Sequence, residues 1–215
     1  MRGARRPTAN RYVAVMDLPS PGPLSYEDYE RLEAASEEAR FEYYDGDVVA
    51  LAEPSRAHEF IVSNLSHHLG AAVRSKDCRY VTRGAVWCEE KQHEFKPDWI
   101  VLCDRRDIEG SGPASARSRY RYPAMVVEVV SPSNRASEME AKLACYSVIQ
   151  SVLLYLVIDS QRQQIWCHVR VGPSLVPTPA AGQIETPFGS VSWAQIYEGT
   201  GVPILQVSPL LLQSS

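Results

Sequence analysis

Asp98, Glu128 and Lys142 are the residues of this chain whose types and spacing best suit chemistry. Asp98 follows Pro97 and precedes the apolar stretch Trp99 to Cys103, and Glu128 interrupts the apolar run Ala124-Met125-Val126-Val127-Glu128-Val129-Val130. An ionised carboxylate inside a strand that buries itself is costly unless something compensates it. Two carboxylates and a lysine around a hard cation would form a phosphodiester-cutting site. Mg²⁺ prefers carboxylate oxygens and keeps several waters, and Mn²⁺ should substitute for it. The plainer alternative has Asp98 capping a turn and Glu128 paired to an arginine. Glu128, with four apolar residues before it and two after, fits that alternative poorly. Lys142 has its own alternative, a stem laid over the core with the amine in water.

The two acids meet only if their strands pair correctly. If Trp99–Cys103 and Ala124–Val130 run antiparallel with Cys103 opposite Pro123, then Asp98 lies opposite Glu128. Facing residues point to the same side of a sheet, with Cβ atoms about 5 Å apart. A slip of one residue would put the acids on opposite faces. Ile100, Leu102 and Val126 make one face apolar, and Val101, Met125 and Val127 the other, so the sheet should be covered on both sides. Two close acids there would repel, and one would resist ionising. A divalent cation would reverse that cost.

The other elements follow from local signals. Ser25-Tyr26-Glu27-Asp28 predicts a helix start with Ser25 as cap, running to about Ala35. Phe41 to Leu51 predicts two short strands about the Asp45-Gly46 turn. Phe60, Ile61, Leu65, Leu69, Ala72 and Val73 are spaced as a helix over His58 to Val73. Tyr80 to Cys88 predicts one strand. Ser137-Glu138-Met139-Glu140 has the form of a capping box, with a helix to about Gln150 that carries Lys142 beside Glu138, Cys145 and Tyr146. Val152 to Ile158 and Gln164 to Val171 predict two more strands. Residues 1–22 read as a flexible tail and 23–215 as one domain, its segment from about 172 mostly loop. The order of elements predicts an α/β or α+β fold, a mixed sheet flanked by helices.

Composition narrows the classes. The chain has 215 residues, 45% of them hydrophobic, enough for one well-packed domain. No run of eighteen apolar residues occurs, so no membrane span is expected. The five cysteines are odd in number, lack a C-x-x-C pair and sit near apolar stretches. They read as reduced buried thiols of a cytoplasmic protein. The net charge of -4 excludes a basic nucleic-acid coat but leaves room for a local positive rim. Arg105, Arg106, Arg117, Arg119 and Arg121 cluster in the connection 104–122. They could meet the phosphates of a DNA strand, or else lie on a solvated loop.

Pro97-Asp98, then Glu128-Val129-Val130-Ser131-Pro132-Ser133, then Lys142 with Tyr146 one turn on, resemble the PD-(D/E)XK nuclease superfamily. Within it they are similar to the Uma-type restriction endonucleases, long grouped as a domain of unknown function. The resemblance covers about residues 24–171, and its specificity lies in the order and spacing of motifs. It implies a restriction-endonuclease-like core, with Asp98 and Glu128 as metal ligands and the Val129 backbone carbonyl as a further donor. It adds Glu42, in Phe41-Glu42-Tyr43-Tyr44-Asp45-Gly46, as another acid of the site. It also marks His58 as a frequent histidine position, to which no chemistry is assigned. The superfamily's lysine usually lies two residues after the second acid, where this chain has Val130; Lys142 matches the Uma-type migration to the next helix. Glu138 stands where Asp is common, and Leu154 and Leu156 where Glu and Trp are.

These readings lead to Mg²⁺-dependent hydrolysis of DNA phosphodiesters, with Lys142 orienting the attacking water or neutralising the transition state. Cutting both strands suggests a homodimer by analogy. The competing reading is a catalytically inactive nuclease fold kept as a DNA-binding or dimerisation scaffold. Nucleophilic ester hydrolysis fits least, since no G-x-S-x-G elbow is present.

Overall fold

The structure is a computed structural model that describes residues 23–36, 39–110, 118–131 and 134–204. The expected N-terminal tail and Arg117 lie outside the described residues. In chain order the elements are α1 (Tyr26–Ala35), β1 (Phe41–Tyr44), β2 (Asp47–Ala50), α2 (Arg56–Ser75), β3 (Arg79–Thr82), β4 (Ala85–Cys88), β5 (His93–Phe95), β6 (Trp99–Leu102) and α3 (Arg105–Glu109). There follow β7 (Arg119–Tyr120), β8 (Pro123–Val130), α4 (Ala136–Val148), β9 (Leu154–Asp159), β10 (Ile165–Val171), β11 (Ser174–Thr178), β12 (Gln183–Thr186), β13 (Gly189–Ser192) and α5 (Trp193–Ile196).

A mixed six-stranded sheet, ordered β11-β10-β9-β8-β6-β3, forms the centre. Only β8 and β9 pair in parallel within it, with α4 as their crossover. One face packs Trp99, Val101, Met125 and Val127 against Ile61, Leu65 and Leu69 of α2. The other packs Ile100, Leu102, Val126 and Tyr155 against Cys145 and Tyr146 of α4 and against Val86 and Phe95 of a second sheet, β2-β1-β5-β4-β7. Burial on both faces is what makes an acid in β8 informative.

Several elements follow local chemistry directly. Ser25 caps α1 by accepting from the Asp28 N–H at 3.2 Å. At the β1–β2 turn, Asp45 and Gly46 have φ of 51° and 85°, the paired left-handed conformation that an Asp-Gly hairpin requires. Gly70 lets α2 sit close on β3, since a Cβ there would come within 2.9 Å of the Tyr80 ring.

The structure corrects five expectations. Tyr80 to Cys88 is two strands in two different sheets, because Arg83 takes a left-handed φ of 60° and turns the chain before Gly84. Ser137 does not cap α4; the helix begins at Ala136 after Arg135, with no side-chain cap. The connection 104–122 includes α3 and β7. The segment after 172 holds three strands and a helix, and buries Ile184, Phe188, Val191 and Ile196 in the core. Cys78 and Cys103 form a disulfide, leaving Cys88, Cys145 and Cys167 as buried thiols. The ladder pairing Arg79 with Leu102 sets Cys78 against Cys103 one step further on. That β3–β6 pairing spans two intervening strands, so sequence spacing did not show it, and the thiol argument for a cytoplasmic location goes with it.

Arg170 anchors the helix that carries Lys142. Its guanidinium donates to the carbonyls of Tyr146 (3.0 Å), Ser147 (2.7 Å), Ile149 (2.8 Å), Val152 (2.9 Å) and Pro173 (2.8 Å). Three of these acceptors belong to the last turn and cap of α4, where the helix dipole is negative. Arg170→Ala is expected to lower stability by about 2–4 kcal/mol, measured by urea unfolding. Lysine at 170 should recover little of it, because an ammonium cannot span five acceptors.

Candidate active site

Trp99 faces Val127, Ile100 faces Val126 and Val101 faces Met125. The expected pairing of Asp98 with Glu128 does not continue this ladder: Asp98 precedes β6, its N–H donates to the Val127 carbonyl at 3.1 Å, and its carboxylate turns to His58 of α2 while that of Glu128 turns to Lys142 and Tyr146 of α4. The far end differs from expectation: a bulge between Val101 and Leu102 places Leu102, not Cys103, opposite Pro123.

Asp98 sits where β6 begins, with its side chain 20% exposed. One carboxylate oxygen accepts the Val129 N–H at 2.7 Å, and the other lies 2.9 Å from His58 Nε2 at the start of α2. Beneath it, Trp99 Nε1 donates to Ser66 Oγ at 3.0 Å and the indole stacks on Tyr80, tying α2 to β6. Asp98 lines an open cleft of about 270 Å³ with His58, Glu59, Ser63, Thr82 and Arg83.

Glu128 lies deeper, 4% exposed. Its carboxylate accepts from Lys142 Nζ at 2.9 Å and from the Tyr146 hydroxyl at 2.8 Å. Lys142 also meets Glu42 Oε2 at 3.1 Å and Glu138 Oε1 at 3.3 Å, so one ammonium serves three buried carboxylates. Glu42 Oε1 accepts the Lys96 N–H at 2.7 Å, and Glu138 Oε1 accepts from Asn134 at 3.1 Å. Glu42 comes from β1 in the second sheet, so the centre joins both sheets and α4.

The electrostatics follow from this crowding. Burial pushes the Glu128 carboxyl up to about 8; Lys142 pulls it down, while Glu42 and Asp98 raise it further. Burial alone would strip the proton from Lys142, but Glu128, Glu42 and Glu138 outweigh it and hold the ammonium well above its ordinary range. Burial, then the charge of Glu128, keeps Tyr146 protonated as a donor. A single cation against three acids leaves an acid excess, and the raised Glu128 reports it.

The structure brings Glu128, Lys142, Glu42, Tyr146 and Glu138 into one buried cluster, and sets Asp98 with His58 beside it, linked through the Val129 N–H. The expected alternatives fail for Glu128, whose partner is no arginine, and for Lys142, whose amine is not in water. The loop arginines stand apart from this cluster of contacts. Arg105 pairs with Glu109, Arg106 with Asp104, Arg119 with Glu30 and Glu94, and Arg121 with Glu89. Sequence reasoning missed Arg83 and Arg40 beside Asp98. The visible signal for Arg83 was Arg83-Gly84 breaking an otherwise strand-like run.

Two oxygen acids presented by neighbouring strands, with an open cleft at one of them, suit a hard divalent cation. Among the described residues no cluster of three or more His, Cys, Asp or Glu side chains is set out to hold a metal. Mg²⁺ needs only one or two carboxylates with waters completing its shell, so the donor set fits. Glu42 Oε2, also buried, is taken up by the Lys142 ammonium at 3.1 Å.

A mixed sheet with these acids on facing strands and a lysine on the following helix defines a restriction-endonuclease-like nuclease fold. The chain belongs to the Uma2 family, described as "Putative restriction endonuclease", whose model matches residues 26–190. It is 29% identical over 143 residues to the uncharacterized protein slr1290 of Synechocystis sp., covering 66% of this chain and 72% of that protein. Its fold resembles the crystal structure of "a putative nuclease belonging to DUF820" from Anabaena variabilis. That match has a TM-score of 0.64 at 17% identity, over 79% of this chain and 96% of the other. Among the described residues no helix is long and apolar enough to cross a membrane.

Proposed function

We propose that this chain is a metal-dependent endodeoxyribonuclease that hydrolyses DNA phosphodiester bonds. The observation that carries the reading is the placing of Asp98, beside β6 at an open polar cleft, and Glu128, buried in the adjoining strand β8, with each carboxylate held by two donors. Asp98 and Glu128 would hold Mg²⁺ or Mn²⁺, with the Val129 carbonyl as a further donor. A bound ion of this kind polarises a phosphate and acidifies a coordinated water.

The chain's own groups do the rest. Val129 N–H and His58 fix the Asp98 carboxylate, and Tyr146 and Lys142 fix that of Glu128, so both acids are oriented before substrate arrives. Lys142 favours the ionised form of Glu128 and aligns its carboxylate, which in this geometry makes it a positioning residue. Glu42 and Glu138 hold the Lys142 ammonium in turn.

The direct test is incubation of purified protein with plasmid, single-stranded and branched DNA in Mg²⁺ or Mn²⁺. Cleavage that requires the ion is the expected result. Intact DNA under all conditions would refute the enzyme. Duplex cutting by a homodimer would appear as a dimer mass in sedimentation.

A second reading, an inactive DNA-binding or dimerisation scaffold, draws on one observation: Lys142 already neutralises part of the cluster. Calorimetry separates the two. An ion that binds Glu128 must displace the proton held there up to about pH 8. Mn²⁺ affinity should therefore rise with pH and level off above about 8, releasing one proton per ion. The release is read from binding heats in buffers of different ionisation enthalpy. A scaffold would give no binding heat.

A further inference from the structure

We infer that the cleft beside Asp98 seats a backbone phosphate of the substrate strand, with Arg83 as its cationic contact. The inference rests on the nuclease reading and names how that site would hold DNA. Arg83 is exposed, lines the cleft with Asp98, and has no acid partner among the described residues. That sets it apart from Arg105, Arg106, Arg119 and Arg121, all of which spend their charge on neighbouring acids.

The position of Arg83 is fixed against the candidate ligand. Its backbone has φ of 60°, uncommon for a residue with a side chain. Its N–H donates to the Asp98 carbonyl at 3.3 Å, and its own carbonyl accepts from the Arg40 guanidinium. Strained backbone held from both sides is a feature of binding sites. The Arg40 guanidinium thus lies close to Arg83 at this edge, with Glu33, Asp98 and Glu42 offsetting its charge. Thr82 and Ser63 add hydroxyl donors on the same wall, the set that commonly grips DNA phosphates. Glu59 also lines the cleft and opposes an anion there. In a chain of net charge -4, Arg83 is the cation that this cleft offers a phosphate.

The test uses the full chain in EDTA, so that binding is read without cleavage. Fluorescein-labelled single-stranded and duplex oligonucleotides are titrated by anisotropy over a range of salt. Arg83→Gln is expected to weaken binding about tenfold and to reduce the salt slope by about one. Arg83→Gly, which suits the left-handed backbone, should do the same and guards against misfolding of the first variant. Arg105→Gln and Arg121→Gln should match wild type, and Glu59→Gln should bind more tightly. Unchanged affinity in both Arg83 variants, or equal losses in the two loop variants, overturns the assignment. The two readings fail separately. Wild type that binds through Arg83 but never cleaves defeats the nuclease alone. Wild type that cleaves while Arg83 variants bind and cleave equally well defeats the phosphate seat alone.

Discussion

Lys142→Met is expected to cost about 3–5 kcal/mol of stability, the penalty of stranding buried charge when one partner of an ion pair is removed. The methionine fills similar space, so the loss reads charge rather than a cavity. Glu128, Glu42 and Glu138 would face one another with no cation. The sign of the pH effect follows from Glu128. Its folded carboxyl already sits at about 8, above its ordinary 4.5, so the folded protein loses stability as pH rises through that window. Lys142 is what pulls the value down, so its removal carries the window higher. The deficit against wild type should therefore widen from about pH 6 to about pH 9. Urea unfolding at the two pH values measures it. A deficit under about 1 kcal/mol at both would mean that the cluster relaxes without its lysine.

Asp98→Asn should have the largest effect on cleavage. The amide keeps the size of the side chain and an oxygen to accept the Val129 N–H, so the fold should lose little. What disappears is the charge at the cleft wall. Loss of a preorganised electrostatic group costs about 10²–10³-fold in rate, and loss of the ion as well would exceed that. Plasmid nicking with Mn²⁺, set beside calorimetry of Mn²⁺ binding, reads both effects. Nicking at the wild-type rate would remove Asp98 from the mechanism and with it the site proposed here.

Most of the elements around the site were legible because their signals are local. Ser25, the Asp45-Gly46 turn and the apolar stripe of α2 each act within a few residues. Glu128 was legible for another reason: a carboxylate amid valines needs compensation wherever its strand lies. Three of the misreadings share one cause. The break at Arg83, the Cys78–Cys103 bridge and the core role of the C-terminal strands all depend on partners distant in the chain.

By itself the sequence determined that Asp98 would stand just before one strand, Glu128 within the next and Lys142 on the following helix, because side-chain periodicity and apolar burial are properties of short segments. Its motif order also pointed to the nuclease fold. Only the tertiary structure decided that Glu42 crosses from a second sheet to Lys142, that Asp98 alone of the two acids lines the cleft, and that Arg83 lines it too with no acid partner among the described residues. Those facts are set by how two sheets and two helices pack, and packing distances are not written in any one stretch of chain.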